Sequence, residues 1–120
     1  MATVLVVDPS QGMRTIFKHL FEQKGCDVKT ACSLEEMRKV IEATPGISVM
    51  VVDDSLVVEM ADGGAAVKQE IRNAVPGIRI ISFSDNGVNS FGDLTVIRSG
   101  EGSMPGLVET VLRFLPSAPR

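Results

Sequence analysis

Two apolar runs in this chain close on aspartate. "VLVVD" ends at Asp8, and "ISVMVVDD" ends at Asp53 and Asp54. Two further runs also end in polar groups: "IRIISFSD" in Ser84 and Asp85, "LTVIRS" in Arg98 and Ser99. Carboxylates gathered in one place repel each other unless a hard cation joins them, and beside phosphate that cation is usually Mg²⁺. Carboxylates, a hydroxyl and a cation are therefore the parts of a metal and phosphate site. A plainer origin competes with this one, because strand ends are exposed and exposed ends are often polar. Spacing alone does not choose between them. Pro9 sharpens the question: it stands directly after Asp8, where a second acid could stand, and it lacks a backbone N–H.

Other reactive residue types add little. Cys26 and Cys32 form no CxxC motif, and His19 is the only histidine, too few for a zinc site. A strand between the cysteines would hold them about 20 Å apart, beyond disulfide reach. Both read as small buried hydrophobes. His19 falls outside the apolar stripe of its predicted helix and reads as a solvated surface residue.

The elements that must position the polar groups follow from periodicity. Val4–Val7 is a short β-branched run of the kind buried on both faces of a sheet. Met13, Ile16, Phe17, Leu20 and Phe21 recur as one face of a helix that Lys24-Gly25 stops. Asp27–Ala31 reads as a strand. Ser33 and Glu36 form a capping box for a helix with Leu34, Met37, Val40 and Ile41 inward. Thr44-Pro45-Gly46 breaks the chain before a strand over Ile47–Val52. Ser55–Gly64 reads as a loop, followed by a helix with Val67, Ile71 and Val75 inward, which Pro76-Gly77 ends. Ile78–Phe83 and Leu94–Ile97 are the last strands. A final helix carries Leu107, Val108, Val111, Leu112 and Leu115, with Ser103 as its N-cap and a loose tail after it.

Alternating strand and helix predicts an α/β fold, a doubly wound parallel sheet covered on both faces. Ligands of such sheets bind outside the carboxyl ends of the strands, where the four polar endings lie. Only about ten residues join the last two strands, short of the dozen a parallel crossover needs. The helix there is expected to be missing or cut to a turn.

The 120 residues suit a single domain, 1–120. Apolar residues make up 44% and the net charge is -3, which gives no basic face for nucleic acid. No apolar run is long enough for a membrane span, and the start lacks the features of a signal peptide. The expectation is a cytoplasmic protein.

With these residues in view, the whole chain resembles the receiver domain of two-component response regulators. "VLVVDPSQGMRTIFKHLFEQKGCDV" is similar to the family opening, above all in stand-alone chemotaxis regulators of the CheY type. "ISVMVVDD" resembles the strand that ends in the phospho-accepting aspartate, which makes Asp53 the acceptor. "IRIISFSD" puts Ser84 at the family's Ser or Thr. "LTVIRS" puts Arg98 where the family has Lys, and Ser99 where it has Pro. The resemblance implies a flavodoxin-like five-stranded sheet in the order 2-1-3-4-5. It implies a signalling module, not an enzyme, that takes phosphate from a histidine kinase. Mg²⁺ would sit among Asp8, Asp53 and Asp54, and an output protein would read the phosphorylated state.

The chain departs from the family pattern at four places. Pro9 replaces the second acid of the opening pair. Arg98 replaces Lys, and a planar guanidinium is not interchangeable with an ammonium. The loop after Asp53 is altered, so Asp54 competes as the aligned acid, and Glu59, Asp62 and Asp85 are nearby acids that could replace the missing one. The fourth helix is nearly absent, and Thr95 stands where a switching aromatic is common. A second reading is therefore a pseudo-receiver, a binding module that is not phosphorylated and that signals through a partner or a homodimer. A third, a flavodoxin-like nucleotide or flavin binder, lacks a Gly-rich loop after strand one.

Overall fold

The apolar runs form the interior of one parallel sheet. In the computed structural model, which describes residues 2–58, 60–84, 91–97 and 103–115, five strands are present. They are β1 (Thr3–Val7), β2 (Asp27–Ala31), β3 (Ile47–Asp53), β4 (Arg79–Ser84) and β5 (Leu94–Ile97). All pairs are parallel, in the order β2-β1-β3-β4-β5 that the family resemblance implied. Among the described residues four α-helices flank the sheet: α1 (Gln11–Gln23), α2 (Leu34–Ala43), α3 (Ala65–Ala74) and α4 (Ser103–Arg113). No described helix is long and apolar enough to cross a membrane.

Side-chain alternation along the strands builds two cores. Val4, Val6, Val49, Val51, Ile81 and Phe83 face α1 and α4, where Phe17, Phe21, Leu107 and Val111 meet them. Leu5, Val7, Met50, Val52 and Ile80 face α2 and α3, where Met37, Val67 and Ile71 meet them. With both faces apolar and covered, most polar groups of the central strands fall at their ends; Ser82, buried within β4, is an exception.

One irregularity sets the register. Thr3 pairs with Ile47, but Val4 pairs with Val49, so Ser48 is an extra residue on β3. From there the pairing runs evenly to Val7 opposite Val52. The next residues on the two strands are Asp8 and Asp53.

Three details differ from the sequence expectation. Ile16 is 45% exposed although it belongs to the apolar stripe of α1; Phe17 and Phe21 carry the burial, with Met13 and Leu20 at its margin. Only Cys26 is buried, and its thiol is pushed up from its ordinary pKa by desolvation. Cys32 is exposed, and its Sγ lies 3.4 Å from Oε2 of Glu36. That carboxylate accepts the N–H of Cys32 at 3.1 Å, one residue before the Ser33 cap, while the Ser33 hydroxyl accepts the Glu36 N–H as foreseen. Ser103, expected as the cap of the last helix, is its first residue.

Among the described residues no helix lies between β4 and β5. The described part of this link, residues 91–93, packs back onto the fold. Phe91 is buried against the α2 and α3 face. It comes so close to Gly64 that a Cβ there would lie 2.7 Å from its ring, and Gly64 has φ of +90°, so both conformation and contact require glycine. Asp93 then ties this segment to β4 and α3. Its N–H donates to the Ile80 carbonyl at 2.6 Å and its carboxylate accepts the Ile80 N–H at 2.9 Å. Arg72 hydrogen-bonds the same carboxylate, and Lys68 lies 3.8 Å away. Phe91→Ala should lower stability by about 3 kcal/mol, as for a fully buried ring lost from a core; urea unfolding followed by circular dichroism measures it.

Candidate functional site

At the carboxyl ends of β1 and β3 the chain must leave the sheet, and it does so by the same local device on both strands. An aspartate that accepts the N–H two residues on forms a short turn closed by its own side chain. Asp8 Oδ1 accepts the Ser10 N–H at 2.8 Å. Asp53 Oδ1 accepts the Ser55 N–H at 2.9 Å, and Asp54–Leu56 then form one turn of 3₁₀ helix. The turn at Asp8 does not use the N–H of residue 9, so Pro9 is compatible with it, and the ring's fixed φ stiffens it. Ser10 caps α1 by accepting the Met13 N–H at 3.3 Å.

All three acids of this edge are withdrawn from solvent. Asp8 is 2% exposed, Asp53 7% and Asp54 9%. The even register after Ser48 makes Asp8 and Asp53 neighbours across the β1–β3 boundary. Asp53 itself pairs with Phe83, so Ser84 stands one residue further along β4 and is buried too. On the β1 side the Asp8 main chain is fixed twice: its N–H donates to the Ala31 carbonyl at 3.0 Å, and its carbonyl accepts from Arg14 Nη1 at 2.6 Å. The structure thus brings Asp8, Asp53, Asp54 and Ser84 to one edge. Arg98, Ser99, Glu59 and Asp85 lie outside the described residues.

Asp62, a nearby acid, does other work. Its Oδ1 accepts the Gly64 N–H at 2.9 Å and its Oδ2 accepts the Ala66 N–H at 3.0 Å. It supplies the side-chain cap of α3 that Gly64, at the cap position, has no side chain to give. These N–H bonds hold its carboxyl below the ordinary carboxylate range. The signal was present in the sequence as "DGGAA", where an acid two residues before the cap glycine precedes a helix.

Mg²⁺ takes oxygen ligands and often keeps several waters, held by one or two carboxylates together with phosphate oxygens. Asp8 and Asp53 offer a donor set of that size. Among the described residues no three His, Cys, Asp or Glu side chains come together as a ready-made metal cluster.

Comparison with known proteins places the fold. No family model matches the sequence, and no curated protein matches it. Solved structures do match, and their fold is that of response regulator receiver domains. A Burkholderia pseudomallei response regulator with a phosphorylated aspartic acid, calcium and citrate is 18% identical; the match covers 98% of this chain and 68% of that one, with a TM-score of 0.74. The Thermotoga maritima response regulator TrrA in complex with Mg²⁺–BeF is 23% identical over 96% of this chain and 100% of that one, with a TM-score of 0.75. CheY6 from R. sphaeroides, in complex with the P1 domain of CheA3, is 18% identical over 95% of both chains, with a TM-score of 0.73.

The capping role of Asp62 has a pH signature. A carboxyl whose pKa is lower folded than unfolded contributes stability above its unfolded pKa and loses it as pH falls through the folded value. Asp62→Asn should therefore lower the urea midpoint at pH 7. The gap to wild type should narrow as pH falls below about 4, the unfolded aspartate pKa. Urea titrations of both proteins from about pH 2, below the ordinary aspartate pKa, to about pH 7, well above it, measure the gap.

Proposed function

We propose that this chain is a receiver-type signalling module whose Asp53 accepts a phosphoryl group. The observation that supports the reading is the β1–β3 register: it runs evenly to Val7 opposite Val52, so two buried aspartates, Asp8 and Asp53, follow at adjacent strand ends, next to the strand that ends in Ser84. A carboxylate oxygen of Asp53 attacks the phosphorus of a phosphorylated donor. The bond between phosphorus and donor breaks, and its electron pair leaves with the donor, so the product is an acyl phosphate on Asp53. A histidine kinase is the donor class that fits. The chain modifies itself and passes the signal to an output protein, so it is a module and not a turnover enzyme.

A divalent cation, when bound, would offset the negative charge of the phosphoryl oxygens. Asp8 and Asp53 would hold it, with Asp54 as a further oxygen source. Ser84 would donate its hydroxyl to one phosphoryl oxygen, and Arg98 would neutralise another. Burial matters here, because a carboxylate kept from bulk water interacts more strongly with a cation brought to it. Support also comes from the neighbours: one carries a phosphorylated aspartic acid, one is in complex with Mg²⁺–BeF, and one is in complex with a P1 domain of CheA3.

A second reading is favoured by a specific feature. With Pro9 in place of a second acid, and no three-group metal cluster among the described residues, the edge is poorer in charge than the family pattern. In that reading the module is a pseudo-receiver that signals by binding alone.

Incubation with Mg²⁺ and a small acyl phosphate, followed by intact-mass measurement, separates the two. The receiver reading predicts a labile single phosphoryl adduct, absent in Asp53→Ala and reduced at least about tenfold in Asp8→Ala, the size of one lost metal or charge contact. A folded protein that gains no adduct at high donor and Mg²⁺ belongs to the second reading.

A further inference from the structure

At the far side of the sheet, β2 is the edge strand, with one neighbour among the described strands. Its outer N–H and C=O groups form an open edge. Helix α1 packs on one face of the sheet beside it and α2 on the other, so the edge is flanked by a helix on each side. Two clefts lie along this edge. One, of about 570 Å³, is lined by Lys18 of α1, by Val28, Lys29 and Thr30 of β2, and by Lys39 of α2 among others. The other, of about 280 Å³, shares Lys18 and Thr30 and adds Arg14.

The charge of these clefts is the opposite of the chain's. The sequence has 15 acids against 12 Lys and Arg. Yet Arg14, Lys18, Lys29 and Lys39 line the two clefts, and among the described residues no Asp or Glu does. Of the four cations only Lys39 has an ion-pair partner among the described residues: Glu35 at 3.8 Å, both side chains far out in solvent, which neutralises little. Arg14 donates to a carbonyl, not to a carboxylate, and keeps its full charge.

We propose that the β2 edge is a docking site for an acidic, extended peptide segment of another protein, added to the sheet as a sixth strand. The open ladder supplies main-chain hydrogen bonds, and the lysines supply selectivity. A second copy fits less well than an acidic segment, because an antiparallel pairing of two β2 edges centred on their midpoint would set Lys29 against Lys29. Cations on an edge strand are an ordinary guard against self-association. Here they extend onto both flanking helices, beyond what guarding one edge requires, and an acidic strand is what they accept. The site lies on the opposite edge of the sheet from β5 and does not depend on phosphorylation at Asp53.

A synthetic peptide alternating Glu and Val, and its counterpart with Lys for Glu, test the proposal on the intact chain by fluorescence anisotropy and amide shift mapping. The acidic peptide should bind, shift and protect the amides of Val28–Ala31, and lose at least about tenfold in affinity on going from low salt to roughly 0.5 M, as screened charge contacts do. Lys18→Glu/Lys29→Glu/Lys39→Glu, with an unchanged circular dichroism spectrum, should lose the acidic peptide and gain the basic one. Equal binding of both peptides to wild type overturns the proposal without any variant. So does a shift pattern centred away from β2. Heparin competing fully, with peptide shifts on α1 and α2 but no protection of β2 amides, would identify a general polyanion surface and overturn strand addition.

Discussion

The molecule depends on a sheet that is apolar on both faces. Once α1 and α4 close one side and α2 and α3 the other, the central strands are mostly apolar until they end; Ser82 within β4 is a buried exception. The acids of β1 and β3 thereby stand at the strand ends. At the carboxyl edge this yields Asp8, Asp53, Asp54 and Ser84, buried by their neighbours although they stand at strand ends. Placement of the acids follows from packing, and their pairing follows from register.

Local turn chemistry then fixes the acids in place. Asp8 and Asp53 both close a side-chain turn two residues long, and both turns start a helical segment. One oxygen of each carboxylate is thus oriented by the protein's own backbone. A group that must meet a phosphoryl donor gains from this, because its rotamer freedom is already spent. Pro9 looks different in this light. It subtracts a charge from the edge, but it also stiffens the turn that aims Asp8.

Much of this was legible in the sequence, for identifiable reasons. Strands buried on both faces read as continuous β-branched runs, so β1 and β3 were plain, and Ser33, Lys24-Gly25 and Pro76-Gly77 marked helix ends. The short link before β5 predicted a missing or shortened helix, and most of that link, residues 85–90, lies outside the described residues. The packing of its described part was not legible: that Phe91 reaches Gly64 and that Asp93 meets Arg72 are tertiary facts with no periodic signal. Ile16 misled because a five-residue stripe is wider than the strip of α1 that the sheet covers. Cys32 misled because composition says a thiol is usually inside, whereas the residue after a strand at a helix start is not. At the site, residue types and strand ends named the acids, but only the three-dimensional register could make Asp8 and Asp53 neighbours.

That register has an origin remote from the acids. Before the extra residue on β3, β1 and β3 are offset so that Thr3 meets Ile47; after it, every pair is advanced by one. Carried forward unchanged, the first offset would have set Asp8 against Val52 and left Asp53 without a carboxylate across the strand boundary. Ser48 works like the displaced mark on a vernier scale, converting a one-residue slip at the amino end of the sheet into alignment at the other end. The meeting of charges is thus inherited through about 15 Å of featureless hydrocarbon ladder, and a length change at the Gly46–Ser48 corner would rewrite the site without touching any residue in it.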